Sequence, residues 1–432
     1  MMPNLNIRPF QLIVISVFGV LALVGVFVFA TYERNATGST SAGKVVIWGI
    51  IPEREMQGAM EELTRNSDYR NVSYLYVRPE AFASELANAL AEGNGPDLVL
   101  ISQEELASQE SKLSLISFKS VPERTYRDMY ATIFEIFLTN EGTYGFPLAL
   151  DPMVMYYNRQ TLANAGIATP PTTWAGIRGL VDTLTSRQGD TVAKSAIPFG
   201  SYGNVDNARG IISTLFLQAG SRLSERGTSG IRATFTSDAG GGSPVQSALL
   251  FYAEFADPVK PFYTWNSARE SSRQAFLSGT LAFYPGYASE ARSLAAANPN
   301  LDFDMARMPQ PEAGGTKAVY AKAYALAITK VSRNYHGAFS AALGLTEARI
   351  MSLAAQSAGL APAMRTLIAK PPADLYSPVF YPDALIARGW LSPAPSVTDG
   401  IFAGMMQNVT SGRFTIAQAI KYASDSIDAS LR

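Results

Sequence analysis

The sequence predicts an α/β protein built from two lobes. Its 432 residues exceed what a single hydrophobic core usually supports, so at least two domains are expected. After residue 43, strand and helix patterns alternate at a spacing typical of parallel strands joined by right-handed crossovers. Two short apolar runs, Tyr144–Leu150 and Met153–Tyr157, then meet at Asp151, which is a candidate point for the chain to cross between lobes.

Asp151 has two interpretations. A carboxylate between two buried strands is costly unless it has partners. Pro152 also removes a backbone donor and biases Asp151 away from helix. The residue is therefore either a turn aspartate at the end of a strand, which composition alone favours, or a carboxylate that faces a cleft between two lobes.

The composition fits a globular protein and narrows its chemistry. Hydrophobic residues make up 47% of the chain and charged residues 16%, and the net charge of −1 gives no reason to expect a nucleic-acid partner. The sequence has no cysteine, so it offers no disulfide, thiolate metal ligand or lipid-modified cysteine. With His336 as its one histidine, a His-dependent triad or multi-His metal site is hard to build. We expect no cofactor and no metal.

The N-terminal region differs from the rest of the chain. Phe10–Ala30 carries no charge and is about long enough to span a bilayer as a helix, and Arg8 on its amino side favours placing the bulk of the protein outside. We expect residues 1–30 to be an uncleaved, single-pass membrane anchor. A signal peptide cleaved before Thr31 is the alternative. Residues 31–43 are small and polar, which predicts a flexible linker.

The first lobe begins with alternating strands and helices. The predicted elements are a strand at Lys44–Trp48, a helix from Pro52, a strand at Val72–Val77, a helix from Pro79 to Gly93 and a strand at Asp97–Ile101. Ligands of such sheets bind beyond the carboxyl ends of the strands. Those ends are Trp48 with the Gly49–Glu53 loop, and Ser102–Glu105. A core role for Trp48 and a solvated helix start for Gln103–Glu105 are the alternatives.

The second half of the chain repeats the mixture of strands and helices. The predicted elements are a helix from Thr172 or Thr173, a loop at Pro198–Asn207, a strand at Thr280–Tyr284, a strand at Leu301–Met308, a helix at Asn334–Leu345 and a closing helix at Thr415–Leu431. Tyr202 and Asn204 lie in the Gly- and Asn-rich loop, where they either point into the cleft or serve the loop alone.

Several stretches of the chain, in order, resemble the maltose-binding-like family of solute-binding proteins of ABC importers. They are GNGPDLVLIS at 93–102, YGFPLALD at 144–151 followed by MYYNRQTL and TPPTTW, FLSGTLAFYPGY at 276–287, AYALAITKVSRN at 323–334 and AGLAPA at 358–363. Together they span roughly residues 44–432. The resemblance implies a type II, periplasmic-binding-protein-like clamp with two lobes.

The resemblance also implies where the lobes divide. Crossings are expected near Leu150–Asp151, Tyr320–Lys322 and Leu345–Thr346. The first lobe then contains 44–150 plus 322–345, and the second contains 151–321 plus 346–432.

The resemblance favours the cleft interpretation of Asp151 and suggests further ligand contacts. The usual tryptophan after the strand at 280–284 is absent, which leaves Tyr284 and Tyr287 as substitutes. The full set of candidate contacts is Trp48, Glu53, Glu104, Asp151, Tyr202, Asn204, Tyr284, Tyr287, Tyr320 and Tyr324. Tyrosine offers a flat face with a polar tip and a carboxylate accepts two hydroxyls, so this inventory suits a sugar.

The function that this resemblance implies is capture of a neutral mono- or oligosaccharide and its delivery to ABC permease subunits. We expect a monomer and no enzymatic activity. One alternative is a sensor or receptor that uses the same clamp. Another is a glycoside-processing enzyme in which Asp151 and Glu53 would act as paired carboxylates.

Overall fold

The structure is a computed structural model that describes residues 41–431 apart from 190, 228–229, 236–242 and 313. The predicted anchor at 1–30 and nearly all of the predicted linker at 31–43 lie outside these residues, and both stay predictions. In the part of the chain that is described, no helix combines the length and the apolar character needed to cross a membrane.

Strands and helices alternate along the described chain. The strands are β1 (Val45–Gly49), β2 (Val72–Tyr76), β3 (Leu98–Ser102), β4 (Ile116–Ser117), β5 (Gly142–Thr143), β6 (Phe146–Asn158), β7 (Ser186–Gln188), β8 (Thr191–Lys194), β9 (Ser224–Gly227), β10 (Gly230–Ala233), β11 (Phe283–Tyr287), β12 (Phe303–Arg307), β13 (Val319–Ile328), β14 (Ala361–Pro362) and β15 (Ala387–Arg388).

The α-helices are α1 (Glu53–Arg65), α2 (Pro79–Ala91), α3 (Gln103–Gln109), α4 (Glu123–Met129), α5 (Arg159–Asn164), α6 (Trp174–Gly179), α7 (Val181–Leu184), α8 (Ala208–Gln218), α9 (Pro244–Ala253), α10 (Ser272–Leu277), α11 (Ala291–Ala297), α12 (Tyr335–Leu345), α13 (Ala348–Ala358), α14 (Arg365–Ile368), α15 (Ser377–Leu385), α16 (Pro395–Thr410) and α17 (Ile416–Ser430). Short 3-10 turns occur at Ser67–Tyr69, Glu110–Lys112, Thr132–Phe137, Glu254–Ala256 and Ala288–Glu290.

The first strand group consists of β2, β1 and β3 with the parts of β13 and β6 that continue the sheet. The three leading strands are parallel, with Ile47 paired to Tyr74 on one side and to Leu98 on the other. This is the arrangement that the strand–helix–strand spacing predicts, because parallel neighbours need a crossover between them. β3 is buried along its whole length, so it lies in the interior of the sheet.

The second strand group is built on the far end of β6. Met153–Tyr157 pairs antiparallel with β11, and Val154–Asn158 pairs antiparallel with β12 on the other edge. Aromatic side chains fill the interior of this part of the molecule. Phe199, for example, packs 4.9 Å from Tyr252 and 5.4 Å from Phe255 between ring centroids.

Two strands connect the groups. β13 pairs antiparallel with β3 and β6, and β6 continues from that sheet into the second strand group. The two apolar runs predicted as separate strands are thus one strand of 13 residues. The turn interpretation of Asp151 was wrong, since the residue lies within this strand. Pro152 is tolerated there although it cannot donate a ladder hydrogen bond.

The helix that follows the predicted third crossing packs with the first strand group. α13 lies against α1, and Arg349 Nε is 2.9 Å from Glu62 Oε1. Met351 and Ala355 on α13 are fully buried. The predicted boundary at Leu345–Thr346 therefore lies directly before α13, a helix that packs against α1 of the first strand group.

Candidate functional site

Three side chains on β13 form a row where the two strand groups meet. Tyr320, Lys322 and Tyr324 alternate with alanines, so they lie on one face of the strand. Lys322 pairs in register with Asp151 of β6, and Tyr324 pairs with Ser102 at the carboxyl end of β3. The crossing strands thus carry polar side chains to the edge of the sheet where ligands of α/β proteins bind.

The first turn of α3 is fixed against this row. The Ser102 hydroxyl accepts from Glu104 N at 3.2 Å, while Glu105 Oε2 accepts from Ser102 N at 2.9 Å, which together form a capping box. Gln103 is fully buried, and its amide donates to Ala321 O at 3.0 Å. Gln103–Glu105 therefore start a helix as one interpretation proposed, but they are buried rather than solvated.

Glu104 is the centre of a charged network between the strand groups. Its Oε1 accepts from the Tyr320 hydroxyl at 2.5 Å and its Oε2 from Arg209 Nη2 at 3.1 Å. Arg209 also donates to Asp399 Oδ2 at 3.2 Å, and Asp399 accepts from the Tyr202 hydroxyl at 2.5 Å. Burial opposes ionisation of Glu104, but Arg209 and Lys322 outweigh it and hold its pKa below the ordinary value.

Asp151 is held by the turn that follows β11. Its Oδ1 accepts from Ser289 N at 3.1 Å and its Oδ2 from the Ser289 hydroxyl at 2.6 Å. The side chain is only 3% exposed. Burial raises the pKa of Asp151 to about 7, against the opposing effects of Ser289 and Lys322. The carboxylate thus joins β6 to the second strand group and titrates near neutral pH.

Lys322 lies over an aromatic ring of the second strand group. Its Nζ is 4.3 Å from the centroid of Tyr287, a distance at which a cation and a π-face attract. Tyr324 is partly buried; burial raises its pKa, and the nearby charges of Asp151 and Glu104 act in the same direction. Two cations, two carboxylates and three tyrosine rings therefore meet at the crossing. The described residues contain no cluster of His, Asp and Glu side chains that would hold a metal ion.

The structure brings together Glu104, Asp151, Tyr287, Tyr320 and Tyr324 of the predicted contacts. We call this set, with Gln103, Arg209, Ser289 and Lys322, the crossing cluster. Tyr202 reaches it only through Asp399.

Besides Tyr202, four predicted contacts lie outside the crossing cluster. Trp48 is a partly buried residue of β1 that packs against the core. Glu53 is exposed at the start of α1, where it lines a surface cavity with Tyr74; its neighbour Glu55 is partly buried and interacts electrostatically with Arg54. The position of these two residues at the carboxyl end of β1 did not reveal whether their side chains reach the crossing cluster.

Asn204 and Tyr284 have structural partners instead. The Asn204 amide donates to Asn266 O at 2.9 Å and to Arg269 O at 3.0 Å, which fixes the neighbouring turn. Tyr284 is fully buried, its ring lies 5.4 Å from that of Phe276, and its hydroxyl donates to Glu290 at 2.7 Å. Of the two tyrosines offered as stacking residues, Tyr287 is the one at the crossing.

Sequence reasoning missed Arg209, Ser289 and Lys322, and it named Gln103 only as part of the Ser102–Glu105 strand end. Lys322 had a visible signal, because it stands between two candidate tyrosines in the alternating stretch Y-A-K-A-Y. Arg209 had none, because its partner Glu104 is 105 residues away in the chain. Such a pairing is set by the fold and not by local sequence.

Comparisons with known proteins identify the family and agree with the fold. A family described as bacterial extracellular solute-binding protein matches residues 59–372. No curated protein sequence matches the chain.

Solved structures resemble the fold over nearly its whole length. The sugar-binding protein MalE from Xanthomonas citri has a TM-score of 0.70 and 18% identity, with 90% of this chain and 97% of that chain covered. The cyclic α-maltosyl-1,6-maltose binding protein from Arthrobacter globiformis has a TM-score of 0.71 and 16% identity, with 90% of this chain and 98% of that chain covered. The maltotriose binding protein from Thermus thermophilus, bound with maltotriose, has a TM-score of 0.64 and 16% identity, with 90% of this chain and 100% of that chain covered.

Proposed function

This chain belongs to the family of bacterial extracellular solute-binding proteins, and from that premise we propose that it captures a carbohydrate between its two lobes and delivers it to an ABC permease. The observation that carries the proposal is the crossing cluster, in which Glu104 from one side and Arg209 from the other meet at 3.1 Å. A ligand held there would touch both lobes and the strands that join them.

The chemistry of the crossing cluster suits a polyhydroxylated ligand. Carboxylates accept hydroxyl donors with charge-assisted strength, and Glu104 and Asp151 supply two of them. Tyr324 supplies a partly buried ring on the same strand face as Lys322. The structural relatives whose printed names include a sugar support the same ligand class.

Capture by closure explains why the cluster is shared between lobes. A ligand shifts an open–closed population only by the difference between its contacts in the two states. We place the hinges in β6 and β13. We keep the predicted lobe boundaries at the first two crossings and change the third. Because α13 packs on α1, we place that crossing after Ala358 rather than at Leu345–Thr346.

We also propose that the protein works as a monomer outside the cytoplasm, tethered by an uncleaved helix within residues 1–30. The long uncharged run and the missing lipid-acceptor cysteine support a retained anchor. Mass spectrometry of native protein purified from membranes is expected to find an intact N-terminal segment. A mature protein beginning at Thr31 would contradict the anchor and favour the cleaved signal peptide.

A panel of mono- and oligosaccharides tests the proposed function. We expect one or more sugars to raise the melting temperature of the full-length protein, since a ligand that binds only the folded state stabilises it. Each sugar is recovered afterwards and examined for cleavage, because hydrolysis would favour the enzyme alternative. If no sugar shifts the melting temperature but a peptide, polyamine or metal does, the carbohydrate assignment is wrong while the binding function survives.

A further inference from the structure

Lys322 is the cation of the crossing cluster that remains available to a ligand. Its side chain is partly buried, and it makes a cation–π contact with Tyr287. Within the described residues, no side chain or carbonyl accepts a hydrogen bond from its ammonium. An ammonium has three donors, and those of Lys322 are open to a ligand or to solvent.

The two carboxylates of the crossing cluster have other hydrogen-bond partners. Asp151 stands opposite Lys322 in the strand register, but both of its oxygens accept from Ser289, at 3.1 and 2.6 Å. Glu104 accepts from Tyr320 on one oxygen and from Arg209 on the other. Burial also raises the pKa of Asp151 to about 7, so its negative charge is only partly present at neutral pH.

Arg209, the other cation of the cluster, is already paired. Its guanidinium donates to Glu104, to Asp399 and to Pro395 O at 2.9 Å. Arg209 thus pairs with two carboxylates, whereas Lys322 has no carboxylate oxygen within ion-pair distance among the described residues. A single available ammonium matches one negative charge better than the two of a phosphate monoester.

We propose, on the basis of the proposed carbohydrate function, that the ligand is an acidic sugar whose carboxylate is bound by Lys322. Tyr324 lies two residues along the same strand face, about 7 Å away. A pyranose ring that rests on Tyr324 can therefore place a carboxylate substituent at Lys322. Uronic acid oligosaccharides have this combination of ring and charge, in contrast to the neutral sugar that the family resemblance suggested.

Matched ligands test this inference without any mutation. Trigalacturonate and its fully methyl-esterified form differ in charge but share ring and linkage. Calorimetric titration of the full-length protein is expected to give an affinity for the acid about ten- to hundred-fold higher than for the ester, the range that one charge-assisted hydrogen bond supports. Equal or tighter binding of the ester or of neutral oligosaccharides would overturn the inference, as would tighter binding of a sugar phosphate.

Variants then assign the preference to Lys322. Lys322→Gln is expected to bind acid and ester about equally, while Lys322→Arg keeps the preference because it keeps the charge. The exposed Lys260 provides the matched control, and Lys260→Gln is expected to behave as wild type. A preference that survives in Lys322→Gln would overturn the inference. If the protein binds only neutral sugars, this inference is wrong but the proposed function survives. If the protein binds no sugar at all, both are wrong.

Discussion

At the scale of single residues, the carboxyl of Asp151 shows how burial and hydrogen bonding compete. The side chain accepts two hydrogen bonds from Ser289, which stabilise its charged form, yet burial is the stronger effect and raises its pKa to about 7. The protonated and ionised forms are therefore both populated in the physiological range. The direction of this shift gives a pH dependence that can be measured.

The stability that Asp151 contributes is expected to fall as the pH rises. Its folded pKa of about 7 lies above the ordinary value of 3.8, so between these values the folded state holds a proton that the unfolded state has lost. The contribution is fully present below about pH 3.8, declines by roughly 1.4 kcal/mol per pH unit and is lost above pH 7. Asp151→Asn removes this titration.

Denaturant unfolding of wild type and Asp151→Asn at pH 5 and pH 8 measures the effect. The free energy of unfolding of wild type relative to the variant is expected to be higher at pH 5 than at pH 8 by about 2–3 kcal/mol. The same difference at both pH values would show that the pKa of Asp151 is ordinary in the folded protein. A larger difference at pH 8 would reverse the sign and contradict the account of its burial.

At the scale of elements, a glycine lets α8 pack closely enough to place Arg209 beside Glu104. A Cβ at Gly210 would lie 2.7 Å from Met153 Sδ and 2.7 Å from the Tyr287 hydroxyl, which is too close for either atom. α8 is therefore in direct contact with β6 and with the end of β11. A larger residue would push the helix away from both strands.

Gly210→Ala overpacks a buried contact at a cost of about 1–3 kcal/mol, from which the helix-propensity gain of up to about 1 kcal/mol is subtracted, so we expect a net destabilisation. Gly58→Ala in α1 is the matched control, because a Cβ added at Gly58 would meet no atom within 4 Å. That control is expected to be neutral or to stabilise by up to about 1 kcal/mol through helix propensity. Thermal unfolding of both variants gives the comparison; equal effects at the two sites would contradict the close approach of α8.

The elements also show which parts of the fold the sequence predicts. β1, β2, β3 and the helices between them follow from apolar periodicity, because each buries one regular face. The continuity of β6 does not follow, since Asp151 and Pro152 resemble a break until Ser289 supplies a partner. The family was correctly recognised from the ordered motifs. Of the crossing cluster, the quoted motifs contain Asp151, Tyr287 and Tyr324, and the role of these residues in binding stays a prediction.

At the scale of the whole molecule, a second ion pair joins the two sides outside the crossing cluster. Arg226 on β9 donates to both oxygens of Glu110, which follows α3, at 2.8 and 2.7 Å. Both side chains are about one quarter exposed, so the pair contributes up to about 1 kcal/mol. It stabilises the arrangement in which the two strand groups are in contact.

Glu110→Gln is expected to favour open forms by up to about fivefold, the population shift that corresponds to 1 kcal/mol. Small-angle scattering of the ligand-free protein should then show a larger radius of gyration than wild type. Asp425→Asn breaks the exposed Lys421–Asp425 pair within α17 and serves as control, with no change expected. An unchanged radius in Glu110→Gln would show that this pair does not hold the lobes together.

The central claim is that a carbohydrate binds at the crossing cluster, and calorimetric titration of Tyr324→Leu tests it most directly. This change keeps an apolar side chain but removes the flat ring and hydroxyl from the same face as Lys322. Using the sugar with the highest affinity for wild type, we predict at least about a tenfold loss of affinity, as for a buried aromatic anchor. Tyr422→Leu, at an exposed position on α17, is predicted to bind as wild type does. Equal affinity of Tyr324→Leu and wild type would contradict the claim that the sugar binds between β13 and α3.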